Sequence, residues 1–314
     1  MKIVSQVKLT EEEIARLKSV SPDVEIKIAG YDFKNAAKEI VNADIFFGRI
    51  PCEVFREGKQ LKWVQVFGAG VETCMFPEMV ESDVILTNTS GAFNNVMADH
   101  AFGLILSISR GIANFVKNQL QRKWSRDGVY HQLSGQTLGI IGLGNIGCEI
   151  ARRSQAFGMK IAAADIRTME CPVFVNELWG MDDKEEVIKQ SDYLLIVVPL
   201  TPETRGLIGA EDIKMMKPTA HLINIGRGPV VDEKALIAAL KDGTIAGAGL
   251  DVFEKEPLPE DSELWGMDNV VVSPHMGGIA PETRDESFEI FLENFEKFVT
   301  GKPLRNVIDK ARQF

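Results

Sequence analysis

The chain lacks the features that would take it into a membrane or out of the cell. No run of about 18 apolar residues occurs, and the N-terminal stretch MKIVSQVKLTEEE has no apolar core of a leader peptide. Cytoplasmic location, with no membrane partner, is the expectation. Cysteine is scarce: Cys52, Cys74, Cys148 and Cys171 are scattered without C-x-x-C spacing, which argues against a disulfide scaffold or a zinc site and leaves them as reduced packing residues. No metal is expected. Positive charge is in deficit, with 35 Lys and Arg against 45 Asp and Glu and a net charge of −10, so a nucleic-acid partner is not expected either. Internal repeats and low-complexity tracts are missing. What remains is 314 residues, 45% hydrophobic and 25% charged, enough for about two globular domains.

Short apolar runs alternate with helical segments along the whole chain. Ile3 to Val4, Val24 to Ile28, Asp44 to Phe47, Trp63 to Phe67 and Val84 to Thr87 read as strands of a first α/β unit. Thr10 and Glu13 have capping-box spacing before a helix over 11–20. The segment Asn94 to Leu120, apolar at helical spacing and containing only Gly103 and Gly111, reads as one connector, and the polar stretch Gln119 to Gln136 as a loop or dimer arm. Further strands are predicted at Leu138 to Ile141, Ile161 to Ala164, Tyr193 to Val198, His221 to Ile225, Gly247 to Leu250 and Val270 to Val272. Asp232 caps a helix that Gly243 ends, and Pro281 to Val299 forms the last one.

One stretch has a specific chemistry. Gly142, Gly144 and Gly147 follow a strand in G-x-G-x-x-G spacing and lead into an amphipathic helix. The first glycine permits a tight turn, the second admits a pyrophosphate to the backbone, and the third lets the helix pack on the strand. Asp165, 18 residues after Gly147 (165 − 147), ends the next strand, where a carboxylate accepts from a ribose 2′-hydroxyl and repels a 2′-phosphate. NAD is therefore expected over NADP, although Arg167 softens the preference. The first unit carries no such motif.

Other loops carry candidate ligands. In the first unit, Phe67-Gly68-Ala69-Gly70-Val71 would expose amides to a carboxylate, and Arg49 after another strand could reach a second acidic group. Taken singly, the loop reads equally as a plain turn and Arg49 as a solvated surface residue. Three later strand ends carry Arg227 between glycines, Glu256 before Pro257, and His275 in SPHMGG. An arginine there can clamp a carboxylate, and a histidine can protonate an oxygen as hydride reaches its carbon. A neighbouring carboxylate favours imidazolium and fixes the ring. Together they suit reduction of a 2-oxo acid. His100 and His221, inside regular elements, read as packing or surface residues.

The sequence resembles the D-isomer-specific 2-hydroxyacid dehydrogenases over nearly its whole length. The resemblance rests on GLGNIG at 142–147, PLTPETRGLI at 199–208, NIGRGPVVDEKAL at 224–236, GLDVFEKEPLP at 249–259 and SPHMGG at 273–278, with GAGVE at 68–72 a weaker match. It implies a Rossmann dinucleotide-binding domain, residues 99–282, inserted in a discontinuous flavodoxin-like α/β substrate domain, residues 1–98 and 283–314, with a homodimer expected. It implies that Arg227 holds the substrate, that His275 is the acid/base and that Glu256, rather than Glu254 or Asp251, is its partner. By the same resemblance Asn145, Ile146, Val198, Ile225 and Gly226 line the cofactor, Asp251 holds the nicotinamide carboxamide, and Ala69, Gly70 and Val71 receive the substrate carboxylate. The chain departs from the common Val-Ala-Glu-His at Met97-Ala98-Asp99-His100. With the sequence ending at Phe314, a C-terminal regulatory domain is not expected. The expected reaction is glyoxylate or hydroxypyruvate reduction, with 3-phosphoglycerate oxidation and an NAD-sensing corepressor-like role as alternatives.

Overall fold

The computed structural model describes residues 1–128 and 130–313; Val129, within the polar stretch, and Phe314 lie outside the described residues. The chain divides into two compact units, Met1–Phe93 with Ala280–Phe314, and Asn94–Ile279. The sequence reading put the boundaries at 98/99 and 282/283, inside the helices Asn94–Ser109 and Pro281–Val299. The structure keeps each helix whole within one unit.

In the first unit, strands β1 (Lys2–Ser5), β2 (Glu25–Ile28), β3 (Ile45–Phe47), β4 (Trp63–Gln65) and β5 (Ile85–Thr87) form a parallel sheet in the order β2-β1-β3-β4-β5, the flavodoxin-like arrangement. Side chains alternate across it. Val4, Phe46, Val64 and Leu86 enter one core, and Ile3, Ile45, Phe47 and Trp63 the other. The helix Pro281–Val299 covers the second face, with Phe291 stacked on Phe47 at 4.0 Å and Phe298 on Trp63 at 5.3 Å. Phe291 is fully buried, so truncating it to alanine would cost roughly 3–5 kcal/mol. The helix Glu11–Val20 starts with the expected capping box between Thr10 and Glu13.

The second unit is built on seven parallel strands: β6 (Thr137–Ile141), β7 (Lys160–Asp165), β8 (Glu177–Gly180), β9 (Tyr193–Ile196), β10 (His221–Asn224), β11 (Gly247–Leu250) and β12 (Val270–Val272). Their order is β12-β11-β10-β9-β6-β7-β8. From β6 the chain builds outward in one direction, then returns to β9 and builds in the other. The reversal between β6 and β9 is the switch point at which such sheets bind nucleotides.

Two elements differ from the sequence reading. β8 was not anticipated, because Glu177-Leu178-Trp179-Gly180 is a largely exposed edge strand without an apolar run. The connector is two helices, Asn94–Ser109 and Ile112–Leu120, bent by 69°. Gly111 makes the corner at φ +65°, where a Cβ would lie 2.1 Å from the Tyr130 ring. Among the described residues, no single helix is long and apolar enough to cross a membrane.

Candidate active site

The three glycines of the turn after β6 have separable tasks. Gly142 has φ +103°, and a Cβ there would meet Val198 Cγ1 at 2.7 Å and the Val197 carbonyl at 2.9 Å. At Gly147 a Cβ would lie 2.2 Å from the Gly142 carbonyl oxygen, so a side chain would push the helix Asn145–Ser154 off the turn. At Gly144 a Cβ would meet nothing within 4 Å. Packing inside the chain accounts for the outer two, whereas the middle one faces open space. Gly144 is also the N-cap of the helix and provides no side chain to cap it. An open, amide-lined helix start fits a pyrophosphate. Asn145 is exposed and Ile146 half-buried beside it. Val198, Ile225 and Gly226 follow β9 and β10, where a Cβ on Gly226 would come 2.9 Å from the Val198 carbonyl.

Asp165 ends β7 next to this turn. It is 6% exposed, and its acceptor positions are taken from within the chain. Leu143 N–H donates to Oδ2 at 2.7 Å, while Arg167 donates its amide to Oδ1 at 2.8 Å, Nε to Oδ1 at 2.9 Å and Nη2 to Oδ2 at 3.1 Å. Burial alone would raise this carboxyl, but Arg167 and the amide donors outweigh it and hold the group below its ordinary value. Arg167 also donates to the Leu143 carbonyl at 2.8 Å and is about half exposed. The acid expected to face a ribose is thus neutralised by the arginine two residues on.

Arg227, Glu256 and His275 follow β10, β11 and β12, three neighbouring strands. Asn224, 2% exposed, shapes the first loop: its Oδ1 accepts from Gly226 N–H at 3.1 Å and its Nδ2 donates to the Arg227 carbonyl at 3.2 Å. Arg227 is half-buried, with Nη1 donating to the Gly226 carbonyl at 2.7 Å. Gly228 presses this loop onto the next, because a Cβ there would overlap the Phe253 carbonyl group at 1.9 Å. Glu256 Oε1 accepts from Phe253 N–H at 3.1 Å, and its Oε2 lies 2.6 Å from His275 Nδ1. With Nδ1 engaged, Nε2 is the nitrogen left to exchange a proton with a ligand. The His275 side chain is 45% exposed, so a ligand can reach it. An arginine able to clamp a carboxylate, an oriented imidazole and a helix start able to hold a pyrophosphate, all at strand ends of one sheet, suit hydride transfer coupled to protonation.

Asp251, at the end of β11, is 1% exposed and anchors the histidine loop. Its Oδ1 accepts from Ser273 Oγ at 2.6 Å and from Met276 N–H at 2.9 Å, and its Oδ2 accepts from Gly277 N–H at 2.9 Å. His100 completes the cluster, with Nε2 at 3.1 Å from Asp251 Oδ1 and 2.9 Å from Ser273 Oγ. Burial raises this carboxyl, yet the donors from His100, Ser273, Met276 and Gly277 bring it down to about 2. His100 is therefore part of the site, not the packing or surface residue the sequence reading made it. His221 lies on the Tyr193 ring at 5.5 Å, and burial, with a contribution from His131, lowers it to about 4.

In the first unit, Gly68 turns at φ +146° and its amide donates to Thr89 Oγ1 at 2.9 Å, while Asn88 Nδ2 donates to the Ala69 carbonyl at 2.7 Å. Among the described residues, the N–H groups of Ala69, Gly70 and Val71 find no acceptor. The Val71 side chain is in the core, so only its backbone is available to a ligand. Exposed Arg49 brings its guanidinium against Gly68, 3.2 Å from where a Cβ would be. No group of three or more metal-binding side chains occurs among the described residues.

Comparison with known proteins agrees with this layout. The family model described as "D-isomer specific 2-hydroxyacid dehydrogenase, NAD binding domain" matches residues 102–277. A glyoxylate reductase from Pyrococcus furiosus is 40% identical over 270 residues, covering 83% of this chain and 80% of that protein. A D-3-phosphoglycerate dehydrogenase from Methanocaldococcus jannaschii is 35% identical over 320 residues, covering 98% of this chain and 59% of that one. The solved structure of a D-isomer specific 2-hydroxyacid dehydrogenase from Xanthobacter autotrophicus, in complex with NADPH and MES, superposes with a TM-score of 0.86 at 30% identity, covering 100% of this chain and 99% of that chain. The chain belongs to the D-isomer-specific 2-hydroxyacid dehydrogenase family, oxidoreductases that act on 2-hydroxy acids with a nicotinamide dinucleotide.

Proposed function

We propose that this protein reduces a small 2-oxo acid of the glyoxylate or hydroxypyruvate type to its D-2-hydroxy acid. Arg227 holds the substrate carboxylate, His275 gives a proton from Nε2 to the carbonyl oxygen as hydride arrives, and Glu256 orients the ring. The observation that carries the reading is the His275–Glu256 contact of 2.6 Å on the sheet that bears the dinucleotide cradle. The amides of Ala69, Gly70 and Val71 offer a second carboxylate cradle. Initial rates with glyoxylate, hydroxypyruvate, pyruvate, a branched oxo acid and phosphohydroxypyruvate test it. Turnover of none of the five would sink it.

A second reading has one observation behind it. Arg49 beside Gly68 could take another anionic group, as in a phosphorylated substrate. A preference for phosphohydroxypyruvate that Arg49→Ala abolishes would establish it.

For the cofactor, the Asp165–Arg167 pair argues against strict NAD selection. A neutralised carboxylate does not repel a 2′-phosphate, and the half-exposed guanidinium can bind one. The protein accepts both NADH and NADPH on this reading. It is also a homodimer: Leu120 is 82% and Trp124 92% exposed, next to the exposed Ile112, Phe115 and Val116. Light scattering on the full chain reads this directly, and a monomer at micromolar concentration would refute it.

A further inference from the structure

We propose that His100 is a positioning residue for His275, acting through Asp251 and Ser273, a role that rests on reading His275 as the proton donor. His100 touches neither Glu256 nor His275 in any contact described above. It stands on the far side of a buried carboxylate that grips the histidine loop at several points.

Consider first what the loop must do. His275 has φ +52°, a left-handed backbone that side-chain-bearing residues seldom adopt and that survives only where the surroundings enforce it. The enforcement comes from Asp251. Its carbonyl accepts the His275 amide at 2.8 Å, and its carboxylate accepts the next two amides, Met276 and Gly277, together with the Ser273 hydroxyl. The residues on both sides of His275 are thus tied to one side chain.

That side chain is an anion with almost no contact with water, and such a group keeps its charge only while its donors are in place. His100 is the one ionisable donor in the cluster. Ser273 gives its hydroxyl hydrogen to Asp251, so the serine oxygen facing His100 can only accept, as can the carboxylate. Nε2 of His100, within 2.9 Å of one and 3.1 Å of the other, therefore carries a hydrogen shared between them. Gly277 shows how tightly the parts close: a Cβ there would lie 2.9 Å from Asp251 Oδ2 and 3.1 Å from the His100 ring. Without the His100 donor, Ser273 and the carboxylate turn towards other partners, the two amides lose their fixed acceptor, and the His275 ring leaves its alignment with Glu256.

The experiment uses the full-length protein with His100→Leu, which removes the donor, and His100→Gln, which restores an N–H close to the Nε2 position. With saturating cofactor and oxo acid, His100→Leu lowers kcat roughly 10- to 100-fold. Deuterated cofactor then shows a larger isotope effect on kcat, because chemistry has become the slow step. The KM for the oxo acid stays within about threefold, since Arg227 is untouched. His100→Gln recovers most of kcat. Hydrogen exchange at Met276 and Gly277 reads the same positioning without turnover: protection falls in His100→Leu and returns in His100→Gln. A His100→Leu enzyme with wild-type kcat and isotope effect overturns the proposal, and so does unchanged protection at these two amides. A glutamine variant as impaired as the leucine variant overturns it too, because a purely steric role would give that result. If the wild type turns over no oxo acid while amide protection responds as expected, the function assigned to His275 fails and the positioning of its loop stands.

Discussion

Asp165 and Asp251 end two strands of one sheet, β7 and β11, and both are buried carboxylates held below their ordinary range, yet they are secured in different ways. Asp165 is held chiefly by one arginine that is about half exposed and could swing away when a ligand arrives. Asp251 is held by the Ser273 hydroxyl and two backbone amides, none of which can leave without moving the loop that carries His275, and by the His100 imidazole from the helix Asn94–Ser109. An acid with a mobile partner can adjust to what binds next to it. An acid with fixed partners sets the geometry of its neighbours.

The largest effect belongs to the fixed side. His275→Gln should lower kcat by about 10²- to 10⁴-fold while the cofactor dissociation constant, read by fluorescence titration, barely moves. Next comes Asp251→Asn, whose amide NH₂ would confront donors now satisfied by a carboxylate. It should cost about 2 kcal/mol in denaturant unfolding and roughly 100-fold in kcat. Asp165→Asn is the catalytic control, expected to leave kcat within about twofold at saturating cofactor. Comparable losses from the two aspartate variants would erase the distinction.

The pH dependence of stability sharpens it further. Asp251 ionises at about 2 in the folded chain against an ordinary 3.8. Its contribution is therefore complete above pH 3.8 and disappears as pH falls towards 2; the difference corresponds to about 2 kcal/mol. Urea titrations from pH 5 down to pH 2 should show a steeper loss in the wild type than in Asp251→Asn. Parallel curves would mean that the carboxylate is not held as described. On the mobile side the effect is smaller and confined to the cofactor: Arg167→Ala should raise the KM for NADPH about tenfold while lowering or sparing that for NADH, because the carboxylate is then released to the ribose. A rise in both would show that Arg167 only supports the turn.

The same contrast explains what could be read from the sequence. Strands such as β6, β9 and β10 are buried on both faces and so appear as apolar runs. β8, polar and at the edge, has no such run. Arg227, Glu256 and His275 stand out because each follows a recognisable strand within a glycine- or proline-marked loop. Arg167 is visible beside Asp165, two positions on, but whether it faces the acid or the solvent depends on a side-chain conformation. His100 was out of reach: its partner Ser273 is 173 positions away, and within its own helix its neighbours are the packing residues Met97, Ala98 and Ala101. The bend at Gly111 was hidden because a glycine within a helical pattern looks the same whether it is tolerated or turns the chain.

The helix Pro281–Val299 has a consequence for how the molecule is made. Its Phe288, Phe291 and Phe295 complete a core whose other half, Ile3, Ile45, Phe47 and Trp63, is synthesised at the opposite end of the chain. At ribosomal speeds of about 5–20 residues per second, the face awaiting that helix stays uncovered for roughly 10–45 s after residue 93 is polymerised. The continuous second unit can fold in the interval. The domain begun first is finished last, its aromatic face bare until the closing helix is made.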